Sequence, residues 1–196
     1  MRLSGRLVLV LLLGSGTPLA AQQPVPNGMV IKGVLSFDGK ATAGDFTGIT
    51  HSVTGEMTGG LTLADVRGFV EAPVNTMTTG NGKRDSDMNK SMESAKYPTI
   101  RFDLKTVQVT SERGDTTDAT LGGDFTIHGV TQAVELPATV IRHESSISVA
   151  STFPLNLKDY RIGGLSKFLG VLKMNEHIVV HVDVTFGFHT PAPAPS

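Results

Sequence analysis

His177, His181 and Asp183 bring two imidazoles and a carboxylate close together near the end of the chain. These residue types hold zinc, and two histidines four apart meet at one ion when the segment is a helix. The neighbouring residues exclude a helix. Ile178, Val180, Val182, Val184 and Phe186 alternate with polar residues, which is the period of a strand. Four residues of strand span roughly 13 Å at about 3.3 Å each, too far for one zinc. Asp85, Asp87 and Asn89 copy the opening of a calcium loop, but Lys90 and Lys96 stand where Gly and the closing Glu are needed. Gly80-Asn81-Gly82-Lys83 lacks the earlier Gly of a phosphate loop, and Arg84 replaces the Ser or Thr that would hold magnesium. Gly164-Leu165-Ser166-Lys167-Phe168 lacks the closing Gly of a nucleophile elbow. Asn89-Lys90-Ser91 is a glycosylation sequon, which acts only in a eukaryotic secretory pathway. No catalytic set emerges, and no metal or cofactor is expected.

Three features remain. His51 shares a strand face with Ile49, Val53 and Met57. An inward imidazole there would bond a backbone group or water, or hold the polar head of a ligand. Met88 and Met92 stand four apart on one helix face, extended by Ala95. Their thioethers either fill gaps in a core or line a cavity for a flexible ligand. The stretch Arg161–Met174 gathers Leu165, Phe168, Leu169 and Leu172 beside Lys167 and Lys173. It reads as a short helix packed on the fold, or as a mouth that touches membrane lipid.

The elements that must position these residues are mostly strands. Met29, Ile31, Leu35 and Phe37 form one face of the first. Ile49, His51, Val53 and Met57 form a face of the second, and Val66, Val70, Ala72 and Val74 of the third, with Phe69 turned outward. Asn81 and Gly82 can cap a helix that Pro98 ends near Ala95. Ile100, Phe102 and Leu104 follow as a strand, and Ser111–Asp118 reads as a polar turn. Leu121, Phe125 and Ile127 then pair across a tight His128-Gly129 turn with Val134, Leu136, Ala138 and Val140. After His143–Ser145, the inward face of the next strand carries Ile147, Val149, Phe153, Leu155 and Leu157. The closing strand carries Ile178 to Phe188. About eight short strands with one helix indicate an antiparallel sandwich or barrel, and closure would remove exposed edges.

With 196 residues the chain is long enough for one domain with a substantial core. Residues 1–21 have a basic start, the apolar run Leu7–Leu13 and small residues up to Ala21, the pattern of a cleaved signal peptide. Residues 22–28 read as a linker, 29–188 as the domain, and 189–196 as a loose Pro-rich tail. A periplasmic or secreted protein is expected. Cysteine is absent, which excludes disulfides, thiol chemistry and a lipoprotein anchor. A net charge of −1 without a long basic run argues against nucleic acid as a partner.

Thr79-Gly80-Asn81, Arg84-Asp85, Met88, Tyr97-Pro98 and Phe102 together resemble the helix-to-strand region of the YceI-like proteins. The run Gly123–Thr131 with Val134 and Leu136 is similar to their central hairpin. Phe153-Pro154-Leu155, Asp159-Tyr160 and the closing strand resemble their end. The chain is not a lipocalin proper, since the Trp of that family's opening motif is missing. The resemblance implies an extended, eight-stranded, antiparallel lipocalin-like barrel (all-β), with one short helix capping an end and an apolar cavity inside. It also implies an exported protein that binds a polyisoprenoid or isoprenoid quinone and is not an enzyme.

The cavity lining is then the inward faces: Phe37, Ile49, His51, Val53, Met57 and Val70 from the first strands, with Met88 and Met92 from the helix. Ile100, Phe102, Leu104, Phe125, Ile127 and Leu136 follow, then Phe153, Leu155, Val180, Val182 and Val184, with Phe168 from the apolar loop. Two other readings stay open: a barrel with a packed interior serving as a stress-related interaction module, and an enzyme acting on a lipid if a titratable group such as Tyr160 stands beside His51. The 165–172 loop is a candidate for transient membrane contact. Together with Phe69 it is also a candidate homodimer surface.

Overall fold

Among the described residues, alternating segments form nine strands, with one α-helix between them: β1 (Gly28–Gly39), β2 (Phe46–Thr50), β3 (Thr54–Thr58), β4 (Arg67–Pro73), α1 (Gly82–Ser91), β5 (Thr99–Arg113), β6 (Thr116–Ile127), β7 (Val130–Arg142), β8 (Ser146–Asn156) and β9 (His177–Phe188). These come from a computed structural model, which describes residues 24–42, 44–163 and 174–189. The expected leader at 1–21, the loop 165–172 with Phe168, and most of the expected tail lie outside the described residues.

From β3 to β9 each strand pairs antiparallel with the next. β1 then pairs with β9 from Gly28↔Phe188 to Asp38↔Val179 and closes the ring. On its other edge β1 meets β2 over Leu35↔Thr50 to Gly39↔Phe46, and β3 at Gly28↔Met57. β2 and β3 are thus one strand interrupted at residues 51–53, and the result is a closed eight-stranded antiparallel barrel. Closure pairs β1 with β9 and so removes the long edges those two strands would otherwise present, while β2 keeps a short outer edge bridged to Thr78 at Ile49.

The core is the inner face of this barrel. Phe102, Phe125, Ile127, Leu136, Val140, Ile147, Phe153, Val180, Val184 and Phe186 are all buried there. One glycine is required by packing: a Cβ at Gly48 would lie 2.2 Å from Cε1 of Phe37, so the Phe37 ring rests directly on the β2 backbone.

Two strand faces differ from their sequence reading, each at an irregularity of the ladder. Register shifts between Val30 and Lys32, where Ile31 is the extra residue opposite β9. A bulge of this kind turns the residues before it to the other face. Met29 and Ile31 are therefore exposed, at 46% and 69%, while Leu35 and Phe37 face inward as expected. The break at 51–53 acts the same way. Gly48 and Thr50 point inward before it, and Val53 and Met57 after it, so His51 is exposed and Ile49 is turned from the interior.

Strands also run on through the stretch Ser111–Asp118. The turn contracts to Gly114-Asp115, with Gly114 at φ +60. The polar residues around it pair with one another, since the Asp118 carboxylate accepts from Ser111, Arg113 and Thr139. Those bonds, the Ser111 hydroxyl's first, hold the Asp118 carboxyl below the usual carboxylate value. Outward Phe69 lies under the Arg101 guanidinium, 3.9 Å from its ring centroid, and Arg101 in turn pairs with Glu71 and Asp103. The histidine of the closing strand that suggested zinc has a different role. His181 lies on the β1–β9 seam, its Nε2 3.0 Å from Asp38 Oδ2 and its Nδ1 3.1 Å from the Thr152 hydroxyl.

Candidate functional site

The barrel is hollow. Its larger cavity, of about 570 Å³, opens at the end that carries α1. Phe37 and Leu35 of β1, Ile100, Phe125 and Ile127 of the central strands, and Leu155, Ile178 and Val180 of the last two form apolar walls. Met88 and Met92 reach in from the helix, with Asn81, Lys83, Arg84, Asp87, Lys90 and Ser91 supplying a polar rim. Lys83 pairs with Asp87 at 3.6 Å. A second cavity of about 120 Å³ lies against Val53, Met57, Val70, Phe102, Leu104, Leu136, Phe153, Val182 and Val184, with Glu56, Arg67 and Glu71 at its margin. Of the expected lining, His51 and Ile49 line neither cavity, for the reason given by the break at 51–53. Phe168 lies outside the described residues.

Sequence reasoning missed several walls of the outer cavity. Leu157, read as inward on the strand alternation but left out of the lining, opens a short 3-10 turn, Ile162 follows that turn and carries no strand period, and Met77 and Met174 lie in connections. Phe46, at the start of β2, was hidden by the same parity error that misplaced Ile49. Its ring meets Phe37 edge-on, with centroids 6.0 Å apart. The Arg84 guanidinium sits 4.3 Å from the Phe46 centroid, a pairing that only the fold brings about.

Local chemistry explains why a helix stands at this opening. The Asn81 side chain accepts from the N–H groups of Lys83 and Arg84, both at 3.1 Å, and so caps α1. The Asp85 carboxylate turns back to accept from the Thr78 hydroxyl at 2.9 Å and from the Thr79 N–H and hydroxyl at 2.8 and 2.6 Å. Arg84 donates to the Thr79 hydroxyl and carbonyl. Thr78 exchanges backbone bonds with Ile49, so this knot fastens the helix to β2. Burial opposes ionisation of Asp85, but the Thr79 and Thr78 bonds and the Arg84 charge outweigh it, and its carboxyl sits below the usual value.

The far end of the helix is fastened as well. α1 stops at Ser91, and the turns beyond it run through Glu93, whose left-handed φ of +45 ends the helical path four residues short of Lys96-Tyr97. Ala95 is therefore exposed and does not extend the methionine stripe. Glu93 Oε2 lies 3.1 Å from Nε2 of His128, whose Nδ1 lies 3.2 Å from the Tyr160 carbonyl oxygen. The Tyr97 ring meets the His128 ring at 4.8 Å and covers Gly129, which takes φ +71 in the hairpin turn. Tyr160 is buried against Phe125, and its phenol is pushed up to about 12, by burial first and by the Asp159 charge second.

An apolar tunnel with a polar rim, closed at the sides by a hydrogen-bonded barrel, can take up an elongated apolar molecule and leave a polar end at the helix. Solved structures share this architecture. A polyisoprenoid binding domain from Saccharophagus degradans, implicated in plant cell wall breakdown, superposes with a TM-score of 0.70 at 15% identity, over 84% of this chain and 99% of that one. BcnA of Burkholderia cenocepacia gives 0.65 at 14% identity, over 78% and 95%. The Campylobacter jejuni YceI protein gives 0.50 at 16% identity, over 63% and 73%. At these identities the likeness is one of fold. Among curated proteins none matches the chain. The model of the YceI-like domain matches residues 32–186, and the chain therefore belongs to the YceI-like family.

Proposed function

We propose that the protein is an exported carrier that holds one isoprenoid chain, of a polyisoprenoid or an isoprenoid quinone, in the barrel and performs no chemistry on it. The observation that carries this reading is the apolar cavity of about 570 Å³ reaching from the α1 rim to Phe125. Each CH₂ group moved from water into such walls contributes about 0.8 kcal/mol, so a prenyl chain gains affinity from length without specific polar contacts. The description of the Saccharophagus degradans domain as polyisoprenoid-binding supports the same ligand class. A barrel with a packed interior would have no such cavity. The enzyme alternative required a titratable partner for His51 inside the barrel, and His51 is exposed.

Protein purified from its native source should release a prenyl lipid on organic extraction, identified by mass spectrometry. It should also bind prenyl chains in vitro once stripped. Absence of both would end the proposal. Export is supported by the leader-like residues 1–21, and N-terminal sequencing of the native protein should begin at Gln22.

A further inference from the structure

We infer that Phe125, together with Leu35 and Ile100, is a stop that sets how long an apolar chain the barrel accepts. The inference rests on the prenyl-chain reading above and goes beyond it, by assigning the length limit to residues of this chain.

Leu35, Ile100 and Phe125 are the described residues that border both cavities, so together they form the collar between the outer space of about 570 Å³ and the second one of about 120 Å³. Leu35 comes from β1, between Thr50 of β2 and Val182 of β9, and Ile100 and Phe125 come from β5 and β6. A chain entering past α1 meets this collar end-on.

Phe125 is not free to swing aside. Its ring meets those of Phe102, Phe153 and Tyr160 edge-on, with centroids 6.5, 5.8 and 5.9 Å apart. It is only 6% exposed. Two of those neighbours are themselves held in place. Phe102 pairs with Phe125 across the β5–β6 ladder and lies over Gly123, where a Cβ would come within 2.8 Å of its ring. Tyr160 ends a 3-10 turn, and its carbonyl oxygen faces His128. Edge-to-face contacts favour one ring geometry, so the Phe125 ring moves aside only by giving up its contacts with Phe102, Phe153 and Tyr160. The second space of about 120 Å³ thus meets the outer one only across Leu35, Ile100 and Phe125 among the described residues.

The test is a homologous series of all-trans prenyl alcohols, each one isoprene unit longer than the last, bound to the stripped full-length protein and to Phe125→Leu. Native mass spectrometry gives the dissociation constants. For the native sequence, Kd should fall about tenfold or more per added unit while the outer cavity fills, and then level off. In Phe125→Leu the fall should continue to a longer chain before it levels, with affinity for the shortest chains changed less than threefold. Ile100→Ala provides the same readout from the neighbouring strand of the collar, should the Phe125 variant fail to fold. The same levelling point in the native protein and in the folded variants would overturn the stop while leaving the lipid reading intact. No binding at any length would overturn both.

Discussion

Asp85 and Thr79 are joined twice: the carboxylate of Asp85 accepts both the backbone N–H and the hydroxyl of Thr79, at 2.8 and 2.6 Å. With the Thr78 bond, this pair fixes the start of the helix to the wall of the barrel. Asp85→Ala removes all three acceptor contacts, at a cost of about 2 kcal/mol for charge-assisted bonds of this kind. Amide hydrogen exchange through residues 79–97 should rise about 30-fold, while β6 and β7 stay protected. Uniform protection in the variant would show that the helix is held elsewhere.

The same carboxyl gives an acid limit. Its pKa lies below the usual 3.8, so the anchored state binds fewer protons than the released one. Its contribution is complete above the ordinary aspartate value and is lost as pH falls through the lowered one. Protection at the helix, measured relative to intrinsic exchange at each pH, should therefore fall below about pH 4 in the native protein, and Asp85→Asn should flatten that dependence.

Tyr160 gives an alkaline limit of opposite sign. Its phenol is raised from 10.0 to about 12, so the unfolded chain loses the proton first. Stability is complete below pH 10 and declines between pH 10 and 12, by up to about 2 kcal/mol. Urea titrations across that range should show the decline, and Tyr160→Phe should reduce it.

Gly129 combines a positive φ of +71 with a close approach: a Cβ there would stand 2.3 Å from Cε1 of Tyr97. Gly129→Ala should cost about 2 kcal/mol or more, since a left-handed conformation alone costs an L-residue about 1–2 kcal/mol. Thermal unfolding measures it. A matching rise in helix exchange is expected, because Tyr97 and His128 share the contact.

His51 is exposed and lines neither cavity. His51→Ala should bind a prenyl chain with unchanged Kd. A tenfold loss would place the imidazole at the ligand after all.

Much of the barrel's inner face was legible because strand alternation reports burial directly. Phe125 and Ile127, Phe153, and Val180 to Val184 all sit where their period puts them. The Asn81 cap and the inward methionines followed from local chemistry in the same way. The errors cluster where one residue slips. Nothing in Val30-Ile31-Lys32 or in His51-Ser52-Val53 announces a bulge or a break, because each is set by the partner strand across the ladder rather than by its own side chains. The rim was only partly legible for a related reason. Met77, Ile162 and Met174 reach the cavity from turns and connections, which have no period to read. Even the motif Thr79–Asp85 was visible only as a likeness, and its physical role, a knot of hydrogen bonds, needed the fold.

The β1–β9 seam also dictates an order of events. The first strand of the barrel completes its ladder only when the last one arrives, from Gly28↔Phe188 to Asp38↔Val179. Pairing of such distant segments is slow, because the loop-closure entropy is lost before any contact repays it. Until then β1 and β8 remain open templates, and a chain truncated before His177 would expose both. Closure is thus the step at which the cavity comes into existence, and a lipid present at that moment could be enclosed as the wall is completed rather than threaded through the rim afterwards.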